Sequence, residues 1–353
     1  MGIEGKDLRF PFLCRQGGGS MDMKRNRHIE NPQANTVLRV AVSTRALFDL
    51  TYENGIFERE GAAAYVDYQV RHENEILAKG AAFSLIEALL RLNGSGGDAP
   101  DRCRTEIMIM SRNSAEVSLR IFHSIQYYGL DITRAVFTTG QSLAPYLTAF
   151  GVDLYLSANE ADVAAATDEG IAAGLIMTDN LPRDQRIEQI RIAFDGDAVL
   201  FSDESERIFQ NQGLKAFNEN EQRRAMAPLS EGPFAHFLKL IASIQKEYPD
   251  EHMPIRTALV TARSAPAHER VIRTLRSWGV RIDESFFMGG EDKAAVVAAF
   301  GAHIFFDDND EFIRRASSQV LSARVVYPKR DFFPSGISSG SDENADMKKR
   351  TAS

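Results

Sequence analysis

The sequence predicts an α/β protein built on parallel, doubly wound sheets. Three observations carry that expectation. Short apolar runs alternate with helix-compatible stretches along most of the chain. Several of these runs end in a carboxylate or a hydroxyl, at the strand ends where open α/β sheets place their ligands. Two long stretches of the chain also align with each other without gaps.

Residues 1–35 lack the apolar core of a signal peptide, and Gly17-Gly-Gly-Ser20 before Met21 reads as a linker or an alternative start. This flexible segment is expected to lie outside the fold. A first unit is expected over 36–185. In it 107–110, 154–156 and 172–177 read as strands and 115–128 as helix. Gly94-Ser-Gly-Gly97 lacks the lysine and strand context of a phosphate loop and reads as a plain connection. A second unit is expected over 186–330, with a mainly helical insertion at about 203–252. Residues 331–353, rich in Ser and Gly, read as a disordered tail.

Composition narrows the function classes. The chain has 353 residues, 44% of them apolar, enough for two domain-sized cores. Its 41 basic and 49 acidic residues give a net charge of −8, which argues against nonspecific nucleic-acid binding. Without an apolar run of about 18 residues, no membrane span is expected, and a cytoplasmic location follows. Cys14 and Cys103 are the two cysteines, expected to be free thiols in a reducing compartment. No histidines have metal-ligand spacing.

The residues that carry chemistry come in a fixed order. Ile190-Arg-Ile-Ala-Phe-Asp195-Gly-Asp197 is an apolar run ending in two carboxylates, and Thr257-Ala-Leu-Val-Thr261-Ala-Arg263 is one ending in a hydroxyl. Lys293 opens a helix-like stretch after Gly289-Gly-Glu-Asp292, and His303-Ile-Phe-Phe-Asp307-Asp308 ends in adjacent acids. This ordered set resembles the haloacid dehalogenase-like phosphohydrolase superfamily across all four of its motifs. The resemblance implies phosphoryl transfer. A phosphate monoester is anionic, so a carboxylate attacks it only with its charge offset, and Mg²⁺ suits oxygen ligands of this kind. Asp195 is the implied nucleophile and Asp197 the implied acid and base. Thr261 and Lys293 are implied to hold phosphoryl oxygens. The implied metal ligands are Asp195, Asp197, Asp307 and Asp308. Arg263 either contacts substrate or pairs with a nearby acid. In this superfamily the insertion commonly forms a helical cap. Phe209, Phe217, Phe234 and Phe237 are its apolar points and Arg223-Arg224 its basic pair, read as cap core and solvated charge ahead of base or phosphate contacts.

The internal repeat separates a competent copy from a degraded one. At an offset of 152, Leu38-Arg-Val-Ala-Val-Ser43-Thr-Arg45 falls on Ile190 to Asp197, and the register continues to Gly61 on Gly213. At an offset of 150, Ser111-Arg-Asn-Ser114 falls on Thr261 to Ser264, and Gly129, Gly140, Gly151 and Asn159 meet identical residues. Ser43, Arg45, Leu143, Ser157 and Ala158 thus stand where the second copy has Asp195, Asp197, Lys293, Asp307 and Asp308. The first copy has no nucleophilic carboxylate, so the chemistry belongs to the second. The first is read as a wall of the substrate cleft, ahead of a regulatory nucleotide site using Arg45, Arg112 and Asn113.

With the repeat in view, the chain resembles the cytosolic 5′-nucleotidase type I family over about 36–330. The shared runs include Ala41-Val-Ser-Thr-Arg-Ala-Leu-Phe-Asp49, Tyr128-Gly-Leu-Asp-Ile-Thr-Arg134, Leu156-Ser-Ala-Asn-Glu160 and Phe194-Asp-Gly-Asp-Ala-Val-Leu-Phe-Ser202. The resemblance implies two related haloacid dehalogenase-like units, the second catalytic and capped. It also implies Mg²⁺-dependent hydrolysis of nucleoside 5′-monophosphates. The alternative is a phosphatase or phosphotransferase of the same chemistry acting on a sugar phosphate or other small ester. A repeated fold often forms a homo-oligomer, but no heptad here specifies one.

Overall fold

The computed structural model describes residues 37–94, 103–178 and 186–326. The chain opens with β1 (Leu38–Val42), α1 (Thr44–Leu47), β2 (Phe48–Asp49), α2 (Thr51–Glu60) and α3 (Ala62–Arg71). It continues through β3 (Ala78–Lys79), α4 (Phe83–Arg91), β4 (Thr105–Ser111), α5 (Ser118–Tyr127) and β5 (Arg134–Phe137). The first half closes with α6 (Ala144–Ala149), β6 (Leu154–Ser157), α7 (Glu160–Asp168) and β7 (Ala172–Ile176). The second half begins with β8 (Ile190–Phe194), α8 (Glu204–Arg223), α9 (Ala235–Gln245) and β9 (Ile255–Thr261). It ends with α10 (His268–Ser277), β10 (Glu284–Phe287), α11 (Ala294–Phe300), β11 (Ile304–Asp307), α12 (Asp310–Ser317) and β12 (Ser322–Arg324).

Ten of these strands form one mixed sheet in the order β5-β4-β1-β6-β7-β12-β11-β8-β9-β10. Every pairing in it is parallel except β7 with β12. On either side of that seam the strand order is the same, position by position. The central strands are near-continuous apolar runs because helices cover both faces. Phe194 and Phe306 stack at 5.7 Å in neighbouring strands, and Phe234 and Phe237 from α9 and its start pack against them. The later part of the 203–252 stretch is therefore sheet core. Its earlier part, α8, is two helical pieces meeting at Gly213 (φ 78°), and α2 and α3 meet likewise at Gly61 (φ 84°). Both turns need the left-handed region that glycine enters freely.

At the seam, Ser157, Leu175, Arg324 and Asp307 lie in one cross-strand row. Three strand spacings, roughly 14 Å, thus separate the last β6 residue from its second-half counterpart. From this row Arg324 reaches the starts of α7 and α12, with Nη2 donating to Glu160 at 2.6 Å and Nε lying 3.8 Å from Asp310.

One expectation is overturned. Cys103 is disulfide-bonded, and the described residues contain no free cysteine. Two cysteines suffice for one bond, and a count fixes neither their distance nor their partners. Cys14 lies outside the described residues, as do the flexible segment expected over 1–35, positions 95–97 of the plain connection and the tail expected over 331–353. Among the described residues no helix is long and apolar enough to cross a membrane.

The seam leaves no room at Gly174, where an added Cβ would lie 2.9 Å from Ala323 Cβ and 3.0 Å from the Phe306 ring. Gly174→Ala is expected to cost about 1–3 kcal/mol in urea unfolding. An unchanged midpoint would show that the seam is loosely packed.

Candidate active site

Adjacent strand ends and one helix start build the site. The Asp195 amide, just past β8, donates to the Phe306 carbonyl of β11 at 2.8 Å, which sets Asp195 beside Asp307. Lys293 stands just before the first residue of α11 and sends Nζ to Asp195 Oδ1 at 2.6 Å and Asp307 Oδ2 at 2.8 Å. All three residues are buried, Asp307 completely. The second oxygen of Asp307 accepts the Asn309 amide at 2.8 Å, and Asn309 in turn caps α12. The Phe312 ring lies 4.6 Å from Lys293 Nζ, a cation–π contact.

Charge is unbalanced here. Carboxylate oxygens of Asp195, Asp307 and Asp308 lie within 4.8 Å of one another, against one bridging ammonium. Burial pushes Asp195 well above the ordinary carboxylate range; Asp307 and Asp308 push the same way and Lys293 opposes them. Burial likewise raises Asp307, and burial with the Asp307 charge pushes Asp308 up to about 7. Burial alone would favour neutral Lys293, but Asp195 and Asp307 outweigh it and hold the ammonium charged.

Thr261 ends β9 next to β8, and its Oγ1 accepts the Arg263 amide at 3.2 Å. Gly196 permits this closeness, since a Cβ there would lie 3.0 Å from Thr261 Oγ1. Asp197 is not part of the acidic group. Its two oxygens accept from Arg263 Nε at 2.7 Å and Nη2 at 2.6 Å, a bidentate pair. Arg263 Nη1 donates to Glu221 at 2.5 Å, and Arg263 is 3% exposed. Of the two roles open to Arg263, the structure shows the ion pair.

Glu221 and Arg270 belong to no motif in the sequence. Glu221 also accepts from Arg270 Nη1 at 2.9 Å, Ser205 Oγ at 2.9 Å and Asn220 Nδ2 at 3.0 Å. Burial would raise its pKa, but Arg263 and Arg270 outweigh that and lower it. The available signal was spacing: Glu221 follows Phe217 by four residues on one helix face, and the Phe217 ring lies 5.3 Å from the Arg263 guanidinium. Arg224 pairs with Glu204, and Arg223 bonds Asn220 at 3.4 Å, so both arginines are engaged within α8 and its end. Phe209 is exposed and meets Phe217 edge-on.

In the first half the equivalent strand ends are closed by local bonds. Ser43 Oγ accepts from the Ala46 and Ala158 amides, both at 3.3 Å. Ser111 Oγ sits 3.2 Å from Thr44 Oγ1, and Arg112 Nη2 lies 2.5 Å from Asp162.

Buried acids and a lysine gathered at the ends of parallel strands define an α/β protein equipped to meet a charged ligand at the carboxyl ends of its sheet. The comparisons with known proteins give the family. Residues 30–331 match the family model described as 5′-nucleotidase, and the chain belongs to that family. It is 39% identical over 285 residues to cytosolic 5′-nucleotidase 1B of Homo sapiens, covering 79% of this chain and 47% of the human protein. The chain thus spans about half the length of that relative. Among solved structures, a chain titled "Structure of Pnkp1/Rnl/Hen1 complex" matches at TM-score 0.30 and 11% identity, covering 87% of this chain and 100% of that one. At that score it says nothing about this fold.

The shared ammonium generates a stability prediction. Lys293→Met leaves buried carboxylates uncompensated and is expected to cost about 3–5 kcal/mol at roughly pH 8 in EDTA. Acids whose folded pKa is raised are easiest on stability while protonated, and that advantage is lost as pH rises through the folded value. The cost should therefore shrink toward about pH 5.5. A penalty that is constant across this range in chemical unfolding would contradict the charge account.

Proposed function

We propose that this chain hydrolyses nucleoside 5′-monophosphates to nucleoside and phosphate, with Mg²⁺, through an aspartyl-phosphate at Asp195. One observation carries the reading: a buried carboxylate, Asp195, bonded to Lys293 and grouped with Asp307 and Asp308. Membership of the 5′-nucleotidase family supports the substrate class. The donor set fits the metal, since three clustered carboxylates against one ammonium leave a surplus of hard oxygen ligands. Of the four expected ligands, Asp195, Asp307 and Asp308 would hold it, whereas both Asp197 side-chain oxygens are taken up by Arg263; when bound, the metal would offset the repulsion between carboxylate and phosphoryl group.

The chain's own residues carry the steps. An Asp195 oxygen bonds to phosphorus as the phosphorus–O5′ bond breaks, and O5′ takes a proton from Asp197. Thr261 and Lys293 hold phosphoryl oxygens. A water then gives its proton to Asp197 while its oxygen bonds to phosphorus, and the phosphorus–Asp195 bond breaks. For the first transfer Asp197 must carry a proton on one oxygen in place of one of its two Arg263 bonds, and Arg263 keeps hold of the other oxygen through both transfers.

The sheet is read as two haloacid dehalogenase-like units, 36–185 and 186–330, with α8 as the cap of the second. The identical strand order on both sides of the seam supports this. Ser43, Arg45, Leu143, Ser157 and Ala158 leave the first unit without the catalytic groups, and its internally bonded strand ends support a structural wall.

The test is phosphate release from a panel of nucleoside monophosphates and sugar phosphates, with Mg²⁺ and with EDTA. Release from nucleotides is expected, abolished by EDTA and lowered roughly 10³-fold or more by Asp195→Asn. Turnover of sugar phosphates alone would keep the chemistry and overturn the substrate class. Full activity in Asp195→Asn would overturn the mechanism.

A further inference from the structure

Asp197 is held by an arginine that is itself held from a different element. The Arg263 guanidinium gives one edge, through Nε and Nη2, to Asp197, and its remaining nitrogen, Nη1, to Glu221 on the second piece of α8. Glu221 is completely enclosed at its side chain and receives three further donors, from Arg270, Ser205 and Asn220. Arg270 in turn donates through Nε to the Ala227 carbonyl at 2.9 Å, anchoring the set to the segment that follows α8. The Phe217 ring, one helical turn before Glu221, covers Arg263 from the same helix. A guanidinium is planar with donors in a fixed fork, so fixing Nη1 fixes the direction in which Nε and Nη2 point.

We propose that Glu221 is a positioning residue for the hydrolysis: from α8 it orients Arg263, which aims the Asp197 carboxylate at the leaving oxygen. The proposal rests on the phosphoryl-transfer reading above and deepens it. Proton transfer demands hydrogen-bond reach, and a displacement of about 1 Å in such a group costs on the order of 10²-fold in rate. The acid–base group is then in register only while the second piece of α8 sits against the strand ends. The Asp195, Lys293 and Asp307 set has no bond to Glu221, so attack on phosphorus does not depend on it.

Leaving-group chemistry separates the two. O5′ of a nucleotide needs a proton as it departs, whereas p-nitrophenolate departs without one. The experiment follows first-turnover release of nucleoside from a nucleoside 5′-monophosphate and of p-nitrophenol from p-nitrophenyl phosphate, across substrate concentration, for wild type and Glu221→Gln. Nucleoside release is expected to fall about 10–100-fold, with half-saturation within about twofold and p-nitrophenol release within about threefold of wild type. Equal losses on both esters, or a change in half-saturation alone, would overturn the proposal.

If Glu221→Gln lacks a cooperative melt, Ser205→Ala replaces it, since it removes one neutral donor and keeps every charge. It should show the same one-sided loss, about 2–5-fold. A proportionate loss in that variant overturns the proposal equally. Wild-type protein inert toward both esters would instead overturn the hydrolysis reading itself.

Discussion

The bridge from Lys293 to Asp195 and Asp307 is the constraint on which the site is built. Two buried carboxylates in neighbouring strands repel each other, and water is not there to screen them. An ammonium bonded to both holds them together, and α11 begins at the place that delivers it. The parallel pairing of β8 with β11 sets the two acids side by side before any side chain is chosen. Asp308 then adds a third negative group within reach, and the surplus charge makes the cluster receptive to a cation.

A second charged set keeps Asp197 apart from that cluster. Asp195 and Asp197 are two residues apart, yet one faces an ammonium among acids and the other a guanidinium braced by Glu221. Different surroundings for two nearby carboxylates are what separate acid–base work from nucleophilic work. Gly196 makes the division possible, since any side chain there would crowd Thr261.

Much of this was legible in the sequence, for a physical reason. Strand ends in parallel sheets are fixed by apolar runs, so the chain alone places Asp195, Thr261 and Asp307 at strand ends. Lys293 followed from its place at a helix start, and the repeat exposed the substitutions at Ser43, Arg45 and Leu143. The antiparallel seam of β7 with β12 was not legible, because local periodicity says nothing about which edges of two sheets meet. Nor was Glu221, one acid in a strongly polar helix, buried where α8 meets Arg263 and Arg270. The 203–252 stretch read as one insertion, but α9 carries Phe237, Leu238 and Ile241 into the core beneath the sheet.

The central claim is that Asp195 becomes covalently phosphorylated during turnover. Its most direct test is acid quench of the protein in the first turnover with a nucleoside monophosphate, followed by peptide mass mapping. The account predicts one added phosphoryl group on the peptide containing Asp195, formed and lost at rates that match turnover. A phosphoryl group on another residue, or an unmodified Asp195 peptide throughout active turnover, would contradict it.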